Sequence, residues 1–252
     1  SRRGWWQGVP TASVMALAVH PREHDLIVAT HGRALFVLDD IRPLRALRGL
    51  DRTKPLTLFE IAPAQQFLPK PNMVDTINSK SDFQGENRPY GALINLYVEA
   101  AQLPHPDLEV ERRRPPVKPA EGEKPKPTKV TIEVRDGAGE LVRRFERDVK
   151  QGLNRIVWDL QRDPYRIPGR PSPWGGGSQA PVLPGEYQLT AVFGDAKESR
   201  PVTVLADPRL TMTAADYEAK LASWERLGAA QERLTDAIRE LQDGRPAAAR
   251  PA

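Results

Sequence analysis

The 252-residue sequence contains no cysteine. That absence excludes disulfides, thiolate catalysis and cysteine-ligated metals, and it leaves the compartment open. Long apolar runs are missing too. No stretch approaches the roughly 20 apolar residues a membrane helix needs, so the chain has no membrane span of its own and any hold on a membrane comes through a partner. Neither an initiator Met nor an apolar leader stands at Ser1, and the expectation is a processed or truncated product whose targeting information has been lost. Charge of one sign is not in excess. The 37 Lys and Arg nearly balance 33 Asp and Glu, for a net +4, and so mild a bias does not argue for nucleic acid as a partner. Hydrophobic residues reach only 39%, while the 25 prolines are about twice ordinary usage. Part of the chain is therefore linker.

What is present reads mainly as short strands. Val14 to Val19, Leu26 to Thr30 and Ala34 to Leu38 are apolar runs separated by turns, the last pair joined by His31-Gly32-Arg33, where Gly32 supplies a positive φ. Three short strands do not stand alone in water, since they leave apolar faces and two edges open. Residues 43–89 are loop-rich, with one strand at Leu56 to Ile61. Ala92 to Val98 is a strand entered through Pro89-Tyr90-Gly91, and 104–129 mixes proline with Glu, Arg and Lys as an extended, solvated insertion. From Val130 the strand signals return at regular spacing: Val130 to Arg135, a turn at Asp136 to Gly139, Leu141 to Phe145, Arg155 to Leu160, Tyr187 to Phe193 and Pro201 to Leu205. With Ala92 to Val98 they make six strands, the pattern of an immunoglobulin-like sandwich. The period then becomes helical. Thr213 with Asp216 forms a carboxylate variant of the capping box, and Tyr217, Leu221, Trp224, Leu227, Leu234, Ile238 and Leu241 form an apolar stripe. One long helix fits there, with a break expected near Gly228.

The run from Val19 to Arg45, VHPREHDLIVATHGRALFVLDDIRPLR, resembles the last blade of bacterial BNR and sortilin-type propeller proteins, which are described as glycosyl-hydrolase-like. In that family an HPxxxDLxxATHGRxxxxLDD run closes the propeller ahead of an immunoglobulin-like module. GLNRIVWDL and LPGEYQLTAVF resemble that module. The resemblance implies a blade, then the module, then helices, in a periplasmic or secreted protein. A whole propeller needs at least four four-stranded blades, and this chain has room for roughly one. Either the rest lies on another polypeptide or the chain keeps a remnant.

The candidate chemistry is sparse. His20, His24, Asp25 and His31 lie within twelve residues and in principle suit zinc, but Pro21 follows His20 and no helical i,i+4 face aims the imidazoles together. Turn histidines bonded to loop carbonyls are the preferred reading. Glycoside hydrolysis needs two carboxyls about 5 to 10 Å apart, and adjacent Asp39 and Asp40 on one strand point to opposite faces. One is expected to bond backbone amides at the blade exit and the other to pair with Arg33 or Arg42, while Asp159 is expected to be a strand-end acceptor. Gly175-Gly176-Gly177-Ser178 lacks the following helix that phosphate binding requires, and no Gly-x-Ser-x-Gly elbow occurs. Trp5, Trp6 and Trp174 are candidate exposed anchors, and Arg112, Arg113 and Arg114 a candidate grip on an acidic surface, weighed against a solvated charge run.

The expected fold is mainly β: propeller-blade strands over 1–50, a connecting segment over 51–89, an immunoglobulin-like sandwich over 90–206 with the insertion at 104–129, and a helical tail over 207–252 with a disordered end. The expected function is a non-catalytic interaction module bound to one or more protein partners, with an extrinsic subunit of a membrane complex as the fitting example. No catalytic residue, metal or cofactor is assigned. The alternative is the supporting C-terminal part of a propeller glycosidase whose active site, and glycan, belong to blades elsewhere.

Overall fold

A computed structural model describes residues 12–67, 88–114, 127–167 and 179–243. The chain divides into two compact units, one of residues 1–54 with 85–88 and one of the remainder. The first holds β1 (Val14–Val19), β2 (Leu26–Thr30) and β3 (Leu35–Leu38), an antiparallel sheet in chain order. Its exit is fixed by polar contacts. Asp40, 1% exposed at φ +43°, accepts from the Arg42 backbone N–H at 3.2 Å and from the Arg42 guanidinium at 2.7 and 3.1 Å. The Asp40 N–H in turn donates to Asp25 at 2.9 Å. The short helix α1 (Arg42–Ala46) follows, with Pro43 in its first turn, where its missing N–H costs nothing.

The second unit is a two-sheet sandwich. Its elements are β4 (Leu56–Leu58), β5 (Ala64–Gln65), β6 (Ala92–Val98), the short helix α2 (Leu108–Arg113), β7 (Lys129–Arg135), β8 (Leu141–Asp148), β9 (Gly152–Trp158), β10 (Gly185–Phe193), β11 (Ala196–Leu205) and the helix α3 (Ala214–Asp243). One sheet has the order β4-β6-β9 and the other β5-β11-β10-β7-β8. Neighbours are antiparallel except β5, which runs parallel to β11 through Val204–Ala64 and Leu205–Gln65.

This is an immunoglobulin-like arrangement: β4, β6 and β9 stand as strands A, B and E, while β7, β10 and β11 stand as C, F and G. Two residues make the case specific. The Tyr187 hydroxyl, near the start of β10, donates to the Leu183 carbonyl at 2.7 Å, the corner contact characteristic of strand F. Leu189, two residues on and fully buried, takes the place where antibody domains carry a cysteine. β8 reaches β9 through only three residues, so no strand D intervenes.

Alternating apolar residues of both sheets meet in one core that includes Leu56, Ile94, Ile132, Trp158, Leu189 and Val204. Trp158 has no exposure, its Nε1–H donates to the Gln161 carbonyl at 3.0 Å, and its ring meets that of Tyr187 edge-on at 5.5 Å. The turn into β6 must be glycine. Gly91 has φ +125°, and a Cβ there would lie 2.1 Å from the Trp158 carbonyl oxygen.

Three elements differ from the sequence expectation. The segment read as a connector supplies, besides the expected strand at β4, the two-residue β5 to the opposite sheet, a run too short to show a period although Ala64 is buried. Part of the insertion read as extended is the helix α2, started by the Asp107 side chain accepting from the Glu109 N–H. And α3 runs unbroken through Gly228. There the glycine answers a neighbour: a Cβ would lie 2.4 Å from the Tyr165 ring. Beside it Arg166 forks onto Asp236 at 2.7 and 3.0 Å, and Thr235 donates to the Arg166 carbonyl at 3.1 Å. The capping box is present, with Thr213 N–H donating to Asp216 at 2.8 Å and Asp216 N–H donating to the Thr213 hydroxyl at 3.3 Å.

Two predictions follow from these contacts. Burial pushes the Tyr187 phenol from 10.0 up to about 12. The fold therefore favours the neutral phenol, so its contribution is complete below pH 10 and is lost as pH rises through about 12. Urea unfolding of the wild type and Tyr187→Phe should show a gap of about 0.5–1.5 kcal/mol at pH 8 that shrinks above pH 10. A gap independent of pH would place the hydroxyl in water. For α3, glycine to alanine in an open helix gains about 1 kcal/mol. Here Gly228→Ala should instead destabilise, and it should regain the helix benefit in a Tyr165→Ala background.

Candidate interaction surface

The surface that stands out is the sheet β1-β2-β3. Its register places Leu17, Val28 and Phe36 in one row and Val19, Leu26 and Leu38 in another on the same face. The opposite face carries Ala16, Ala29 and Leu35 in one row and Ala18, Ile27 and Val37 in the next. Thr30 is the one polar residue in the three strands. A strand buried on one face alternates apolar with polar; one buried on both reads as a continuous apolar run. These strands follow the second pattern, yet every residue of β1 is exposed, and Leu17, Leu35 and Val37 are 64%, 64% and 60% exposed. Large apolar side chains thus stand exposed on each face, beside half-buried Leu26, Phe36 and Leu38 and buried Val28, and make this sheet a candidate interaction surface.

The turns that hold this sheet absorb the histidines and acids. The N–H of His20 donates to the Asp25 carbonyl at 2.9 Å, and its Nδ1 accepts from the Glu23 N–H at 3.0 Å. His24 sits at φ +59°, and its carbonyl accepts from the Ile41 N–H at 3.0 Å. His31 lies in the β2–β3 turn beside Gly32 at φ +74°, and its N–H donates to the Ser13 carbonyl at 2.9 Å. Among the described residues no group of three His, Asp or Glu side chains is placed to hold a metal ion. Asp25 and Asp40 serve the exit of the sheet, as described above. Asp40 takes both a backbone amide and an arginine. Asp159 accepts from the Gln161 N–H at 3.3 Å, a strand-end bond.

The arginine run sits on and just after α2. Arg114 folds back, donating to the Leu103 carbonyl at 2.7 Å and to the Ala101 carbonyl, with Glu111 at 3.6 Å. Arg113 stands 4.0 Å from Glu109, and Arg112 is exposed. The three side chains thus part company: Arg114 closes a turn, and the exposed Arg113 has an acidic neighbour. Trp5, Trp6, Trp174 and the Gly175 to Ser178 loop lie outside the described residues. No described helix is long and apolar enough to cross a membrane.

Comparison with family models, with curated proteins and with solved structures returns no match. The interaction surface thus rests on its own geometry. Sequence reasoning found its strands and their need for cover, but not which side chains stay exposed on each face. Nor did it mark Tyr165 or Arg166, because their importance comes from residues about 65 positions away on α3.

Proposed function

We propose that the chain is a non-catalytic structural and interaction module, an extrinsic scaffolding subunit of a larger extracytoplasmic or membrane-associated complex. One observation carries this reading: β1-β2-β3 is apolar on both faces and has large exposed side chains on each, Leu17 and Val19 on one and Leu35 and Val37 on the other. Such a sheet belongs in the interior of a layered assembly, with another layer against each face. The likeness of Val19 to Arg45 to the closing blade of BNR and sortilin-type propellers supports the same view, since propeller blades stand in a ring with neighbours on either side. It also supports a periplasmic or secreted address. The sandwich supplies the stable body of the module, because its core closes with residues of its own.

The test compares the wild type with a Leu17→Lys/Val37→Lys variant, which places one charge on each face. Purified gently from the native source, the wild type should bring protein partners whose cross-links fall within residues 14–38. The variant should come alone, with its Trp158 fluorescence unchanged. A variant that keeps its partners, or turnover of aryl glycosides by the purified wild type, would contradict the proposal.

A further inference from the structure

The second half of α3 carries an apolar seam that the sandwich does not use. Leu227, Leu234 and Leu241 recur every seven residues and are 52%, 55% and 72% exposed. Ala230 and Ala237, at the intervening core positions, are exposed as well. The docked side of the helix is marked by half-buried Leu221 and by buried Gly228 and Thr235. At 3.6 residues per turn the seam lies roughly 140° round the helix from that side, so it faces away from the body and is open to approach.

We propose that this seam pairs with the same seam of a second copy of the chain, the two helices running antiparallel. Size selects the partner first. With the two-fold axis midway between positions 235 and 236, Leu234 faces Ala237 of the second copy and Leu241 faces Ala230. Leu234 and Leu241 of each copy then meet an alanine of the other, and four layers interdigitate with neither crowding nor voids. Charge selects the orientation. Arg233 and Glu240 flank the same side of the seam, both are exposed, and neither has an ion pair within the described chain. In the antiparallel register Arg233 reaches Glu240 of the second copy, twice by symmetry. A parallel pair with leucines in register would stack alanine on alanine and set Arg233 beside Ile238, where no charge answers it. Four leucine–alanine layers make an interface smaller than a standard stable one, so the dimer is weak, with dissociation on the order of 100 µM.

Sedimentation equilibrium of the full chain from roughly 10 µM to 1 mM, bracketing that constant, tests this. A monomer–dimer equilibrium is expected. Leu234→Asp should weaken it at least ~10-fold, and because Leu234 is exposed the variant should keep its helical circular dichroism. Arg233→Glu should weaken it roughly 5-fold, and Arg233→Glu/Glu240→Arg should restore it to within ~2-fold. Spin labels on a Glu225→Cys variant of the cysteine-free chain should lie about 30 Å apart along the axis in the antiparallel dimer, against ~10 Å in a parallel one. The proposal fails if the mass stays monomeric to 1 mM, if Leu234→Asp leaves association unchanged, or if the labels lie near 10 Å.

Discussion

A β-sheet with two apolar faces is stable only when something closes over both of them. That constraint organises this molecule. The sandwich meets it internally: β4-β6-β9 and β5-β11-β10-β7-β8 turn their apolar rows toward each other, and Trp158, Tyr187 and Leu189 fill the space between. The sheet β1-β2-β3 has apolar rows on both sides and leaves Leu17, Leu35 and Val37 largely in water. Among the described residues one unit closes a core of its own, and the other keeps large apolar side chains exposed on each face.

The polar contacts fix where chain leaves sheet. Both units use the same device, an aspartate and the arginine two residues later. Asp40 with Arg42 holds the exit of the three-stranded sheet, and Asp207 with Arg209, at 2.9 and 2.7 Å, holds the exit of β11. In each pair the carboxylate is buried and also accepts the arginine's own N–H, at 3.2 and 3.0 Å. Two-point recognition of this kind sets direction as well as adding stability. It accounts for Asp40 in the LDD run, which these bonds hold at φ +43°.

Much of the fold was legible because it rests on local patterns. The runs Val14–Val19, Leu26–Thr30 and Ala92–Val98 occur as strands with the bounds their composition suggested, and the Thr213–Asp216 box starts α3. What escaped depends on contacts distant in sequence. β5 is too brief to carry a period and becomes a strand only by joining β11. Gly228 looked like a break because glycine weakens an isolated helix, whereas its role is to admit the Tyr165 ring. The histidines stand close in sequence, but the turns spend their backbone groups, and one ring nitrogen, on holding the sheet together. The interaction surface was half legible. Continuous apolar strands announce burial on two sides, but only the assembled sheet reveals that Leu17, Val19, Leu35 and Val37 stand exposed on its two faces.

The central claim is that the sandwich is self-sufficient and the three-stranded sheet is not. Hydrogen exchange on the isolated chain, resolved by residue, measures this most directly. Amides of β6, β7 and β10 should exchange only through global unfolding, and those of β1, β2 and β3 through far less costly local opening. Protection of Leu26–Leu38 equal to that of β10 would show that the sheet needs no cover beyond this chain, and would contradict the account.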